Sequence, residues 1–139
     1  MTSYSNIYKR CLSKIEDPML ATLPEEDLTN MLHGWMCSAI AKHRKCVHDL
    51  SDRDDELGQF NADLTELEQE ILAILMAREW VSQQLLSVTL TLQTFSGKET
   101  SFYSQSAHMK ELSALDDKLR LEAQQLSRDY TYIDNEYFD

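Results

Sequence analysis

Between Ser3 and Ile15 the apolar residues Ile7, Tyr8, Cys11, Leu12 and Ile15 recur in steps of three and four. That spacing predicts one face of a short helix. Asp17-Pro18 should end it, because the residue before a proline is pushed away from helical geometry. A longer pattern follows from about Pro24 to His48. Leu28, Met31, Leu32, Trp35, Met36, Ala39, Ile40, Cys46 and Val47 gather on one side of a helix turning ~100° per residue. Thr22 and Glu25 are spaced for a capping box, and Pro24 suits a first helical turn. Gly34 costs this helix about 1 kcal/mol relative to alanine.

Periodicity fails from Asp49 to Asp63, which reads as a polar loop. A second capping box, Thr65-Glu66-Leu67-Glu68, opens a third helix. Its Leu67, Ile71, Leu72, Leu75, Met76, Trp80 and Val81 cover so broad a surface that burial from several sides is expected. Beyond Gln84 the pattern is ambiguous. Leu85, Val88, Leu92 and Phe95 fit a continuing helix, whereas Val88 to Leu92 alternates like a strand; helix is the reading adopted. Gly97 marks a loop. The last helix is expected from about Ser104 to Arg128, with Leu112, Leu115, Leu119, Ala123 and Leu126 in a narrow seam like a coiled-coil stripe. The fold class is therefore all-α: three main helices in a bundle, a short N-terminal helix, and an aromatic tail. Residues 1–128 form the helical domain. The tail, Asp129 to Asp139, holds Tyr130, Tyr132, Tyr137 and Phe138 without helical spacing.

Composition narrows the classes. The 139 residues fit one domain, and three glycines with two prolines disfavour a turn-rich sheet protein. Twenty-four acids against 13 bases give a formal net charge of −11, opposite to what wrapping DNA phosphates requires. The first residues show no apolar run of the signal-peptide kind, and no stretch approaches the ~20 apolar residues of a membrane span. Cys11, Cys37 and Cys46 are an odd, irregular set, consistent with reduced thiols in a cytoplasmic setting.

Candidate chemistry is sparse. His33, Cys37, His43, Cys46 and His48 invite a zinc reading, but on one continuous helix His33 and His48 lie ~22 Å apart, so no metal or cofactor is expected. Asp52, Asp54 and Glu56 suggest a calcium loop. The EF-hand pattern would then require glycine and glutamate where Leu57 and Asp63 stand. Di-iron Glu-x-x-His pairs, a phosphate-binding glycine loop and a Gly-x-Ser-x-Gly elbow are all missing. Catalysis is not expected. Charge is more informative: from Asp49 to Glu70 nine acids face the single base Arg53. Asp49, Asp52, Asp54, Asp55 and Glu56 are thus either a solvated loop or a surface of one sign that repels DNA or docks a basic partner.

One wider pattern remains. Cys46…Asp49-Leu50-Ser51, Phe60…Leu64-Thr65 and Glu70-Ile71-Leu72…Met76…Glu79-Trp80 are followed by Phe102-Tyr103-Ser104-Gln105-Ser106…His108-Met109-Lys110-Glu111-Leu112 and Arg128-Asp129-Tyr130-Thr131-Tyr132. The series resembles the neck, or head–tail connector, proteins of tailed phages infecting Gram-positive bacteria, over about Leu28 to Tyr132. The resemblance implies a small helical subunit of a ring beneath the portal, with no catalytic residues. Its partners would be further copies of itself, the portal and tail-proximal neck proteins. DNA would pass through without specific binding, and no membrane would be involved. The expected location is the virion neck, and the host cytoplasm during assembly. Tyr130, Tyr132, Tyr137 and Phe138 are the expected anchors on a neighbouring subunit. The competing reading is an acidic helical DNA mimic that inhibits a host DNA-binding protein.

Overall fold

In the computed structural model the described residues are 1–15, 17–43, 46–94 and 99–138, with side-chain surroundings described except at 18–19, 90–105 and 132–138. The chain runs β1 (Thr2–Ser3), α1 (Tyr4–Leu12), a 3-10 turn (Pro18–Thr22), α2 (Glu25–Lys42), β2 (Arg53–Asp54), β3 (Gln59–Phe60), α3 (Glu66–Thr94) and α4 (Glu99–Phe138). It is mostly helical, as its periodicity predicts.

The expected capping box at the start of α3 is present. The Thr65 N–H donates to Glu68 Oε1 at 2.8 Å, and the Glu68 N–H donates to Thr65 Oγ1 at 3.1 Å. The other expected box is not: α2 has Pro24 at its N-cap without a side-chain cap, and its first turn carries Glu25, Glu26 and Asp27 instead. Those carboxylates suit the positive end of the helix dipole. α3 continues as helix to Thr94, so the ambiguous stretch after Gln84 resolves as helix through that residue.

Several boundaries differ from expectation: α1 ends at Leu12 rather than about Ile15, α4 begins at Glu99 rather than about Ser104, and three larger differences follow. α2 ends at Lys42 rather than His48, where His43 leaves helical geometry at φ −88°, ψ 67°. Cys46 and Val47 therefore do not extend its apolar face. The segment read as loop contains β2 and β3, which pair antiparallel, and β1 joins the other side of β3. Two-residue strands are too short to show a period of two, so the sequence carries no signal for them. At the C-terminus α4 runs on to Phe138. The segment after Arg128 is thus helix and not an irregular tail.

The core lies where α1 and α2 pack on the first half of α3. Ile7, Cys11, Met36, Ala39, Phe60, Leu72, Met76 and Val81 are fully buried there. Trp35 and Trp80 are 4% and 7% exposed, and the Trp80 indole N–H donates to Asp17 Oδ2 at 3.1 Å. α4 contributes less. Among its residues with described surroundings only Leu112, Leu119, Ala123 and Tyr130 are buried, a single stripe facing α3, while Leu121 is 56% exposed on the other side. No described helix is long and apolar enough to cross a membrane.

Candidate functional site

The most unusual residue in the fold is a carboxylate. Glu68 occupies the first turn of α3 with no exposed surface, a position acids almost never take unless paired. Four donors account for it. Besides the Thr65 N–H, the Cys46 thiol reaches Oε2 at 2.9 Å, His48 Nδ1 reaches both oxygens at 2.8 Å, and the Tyr130 hydroxyl reaches Oε2 at 3.0 Å. Tyr130 in turn accepts the Val47 N–H at 2.8 Å, and its ring meets His43 edge-on at 5.9 Å. One buried charge thereby joins the start of α3, the loop after α2 and the C-terminal half of α4.

The electrostatics follow. Burial raises the pKa of Glu68, but the bonds from Cys46, Thr65, His48 and Tyr130 outweigh it and hold the carboxyl down at about 2. Burial, together with the bond to Glu68, pushes the Cys46 thiol up to about 12. Burial also raises Tyr130, and it lowers His43 against the opposing pull of Glu68. Near neutral pH the cluster holds an ionised acid, a protonated thiol and a protonated phenol. A thiol so held is not a nucleophile, and a carboxylate so low is a poor general base. The arrangement is suited to holding the three segments together.

Several expectations change here. The case against a shared metal rested on one continuous helix carrying His33, Cys37, His43, Cys46 and His48. Because α2 stops at Lys42, Cys46 and His48 leave the helix and meet at Glu68, while His33 contacts Cys37 (3.6 Å) one helical turn apart. Even so, among the described residues no group of three or more His, Cys, Asp or Glu side chains is disposed to hold a metal ion. Tyr130, expected as an anchor on a neighbour, is only 6% exposed within its own chain. Its hydroxyl has a buried acceptor, Glu68, in its own chain. Tyr132, Tyr137 and Phe138 lie on α4, and their side chains fall outside the described residues.

The acidic set divides into local tasks. Asp49 Oδ1 accepts from the Ser51 N–H and hydroxyl, Asp52 Oδ1 from Asn61 Nδ2 at 2.8 Å, and Asp54 Oδ1 from the N–H groups of Glu56 and Leu57. Asp55 accepts from the Tyr4 hydroxyl at 2.7 Å, which holds its carboxyl below the usual range. Asp52 and Asp54 therefore shape the β2–β3 hairpin, Asp49 the turn before it and Asp55 its contact with α1, and only Glu56 has no side-chain bond among the described residues.

Sequence reading missed Glu68 as a centre. The Thr65-x-x-Glu68 spacing predicts a cap, and a cap it is; its burial depends on two distant segments closing over it, for which no local signal exists. Comparison with family models, with curated proteins and with solved structures finds no match to this chain.

Proposed function

We propose that this chain is a non-enzymatic structural subunit of a phage neck, assembling as a ring beneath the portal through which DNA passes. The supporting observation is where the residues that resemble connector proteins lie. Leu72, Met76 and Trp80 fill the core around α3, Ile71 is buried beside it, and Cys46 and Tyr130 bond Glu68. These residues hold shape, as a structural subunit requires. A net charge of −11 suits a lumen along which DNA slides without sticking. Its partners on this reading are further copies, the portal and the adjoining neck proteins. The test is antibody labelling of phage particles combined with electron microscopy of the purified chain. Label confined to the head–tail junction and ring-shaped particles are expected. A 16 kDa monomer that instead competes with DNA for a basic host protein contradicts the reading and favours the DNA-mimic alternative.

A further inference from the structure

A groove of about 610 Å³ opens between the end of α2, α3 and α4. Ile71, Leu75 and Ala123 give it apolar walls. Lys42, Arg78, Arg120 and Arg128 line it as well, and among the described residues no carboxylate does. Four of the chain's 13 bases thus gather at one depression of a protein whose net charge is −11. Three of them have a carboxylate of their own chain alongside: Lys42 with Glu79, Arg78 Nε with Asp116 at 3.0 Å, and Arg120 Nη2 with Asp117 at 3.7 Å. The Arg120–Asp117 pair is exposed on both sides and contributes little, whereas Arg78–Asp116 is half-buried and holds Arg78 in place. Each guanidinium has five N–H donors, so most remain available after one contact. Arg128 is exposed and has no ion-pair partner among the described residues.

A different surface carries charge of the opposite sign. The turn between β2 and β3 projects Leu57, 70% exposed, next to the exposed Glu56, with Asp52 and Asp55 close by in sequence. That turn is held rigid. Asp54 Oδ1 accepts from the Glu56 and Leu57 N–H groups at 3.0 and 3.1 Å, Gly58 takes φ +67°, and the Tyr4 N–H donates to the Gly58 carbonyl at 2.9 Å. An apolar tip set among acids and already ordered loses little entropy on docking. It is pinned to the α1 side of the molecule by Tyr4, and no residue of the tip lines the basic groove.

We infer that the β2–β3 tip of one copy, led by Glu56 and Leu57, docks into the Lys42–Arg78–Arg120–Arg128 groove of a second copy. The second copy is the occupant because both halves of the charge match belong to this chain. Two bodies of charge −11 otherwise repel, and an acidic tip meeting a basic groove is the place where they attract. The patches are different surfaces, so the contact is head-to-tail, and such contacts close into rings when the rotation per subunit permits. The inference deepens the ring reading and rests on it.

The test uses the full chain in size-exclusion chromatography with light scattering, at low ionic strength and at about 1 M salt. Assembly above 16 kDa that weakens with salt is expected of the unmodified protein. Glu56→Arg and Arg128→Glu should each weaken association about tenfold or more, and the double variant E56R/R128E should recover it. Leu57→Ser should weaken it at both salt concentrations. Circular dichroism and thermal melts unchanged from the parent show that each variant folds. If the parent assembles and every variant assembles equally well, or the double variant is no better than the single ones, the docking is wrong while the ring reading stands. If the parent stays at 16 kDa at all concentrations, the ring reading fails and the docking with it.

Discussion

Glu68 and the acids of the β2–β3 hairpin carry the same charge within twenty residues of one another, yet they act in opposite ways. Glu68 is closed off from water and bonded by four groups from three segments. Asp49, Asp52, Asp54 and Asp55 reach partners mostly within a few residues and stay in or near solvent. A buried carboxylate that loses its partners is costly, whereas an exposed one exchanges a bond for water. The first holds distant parts of the chain together; the second shapes one turn and leaves charge outside.

The comparison can be broken most forcefully at its buried end. Glu68→Ala strands the donors of Cys46, His48 and Tyr130 and should cost about 3–5 kcal/mol in urea unfolding, the scale for breaking a buried charged network. A loss below about 1 kcal/mol on the same scale would show that the network is incidental. A smaller cut is Tyr130→Phe, which keeps the ring beside His43 but removes the hydroxyl shared by Val47 and Glu68. About 1–3 kcal/mol should be lost, with amide-exchange protection falling in the loop around Val47. At the exposed end, Glu56→Gln should change stability by no more than about 0.5 kcal/mol, as for surface positions without special contacts. A large loss there would mean that the hairpin acids are structural throughout.

Much of this contrast lies beyond what the sequence displays. The helices were legible because Ile7, Cys11, Met36, Leu72 and Met76 recur at helical spacing and fall in the core as that spacing requires. The Thr65–Glu68 cap was legible because capping is local. The end of α2 was not: apolar Cys46 and Val47 continue the period, and only the backbone turn at His43 takes them off the helix. The same error hid the site, since it kept Cys46 and His48 on a helix away from Glu68. The contact of Tyr130 was hidden for a related reason. Tyr130 lies 62 residues from its acceptor, and a contact of that separation leaves no trace in local periodicity. The basic groove was equally invisible, because its cations come from three helices.

The central claim is that Glu68 is a locked, permanently ionised structural charge and not a working acid or base. Its folded pKa of about 2 lies below the ordinary 4.5, so the unfolded chain binds the extra proton between those values. The stability it contributes is therefore fully present above about pH 4.5 and lost as pH falls towards 2, of order 3 kcal/mol in all. The lowered pKa of His43 acts in the same direction, beginning below its ordinary 6.5. The direct measurement is a carbon-13 NMR titration of the Glu68 side-chain carboxyl in the folded protein. The account predicts that it stays ionised through pH 4.5 and takes up its proton only near pH 2 or as the chain unfolds. Protonation at pH 4.5 or above in the folded state would contradict the account, because the carboxyl would then be a titrating group within reach of a thiol and an imidazole.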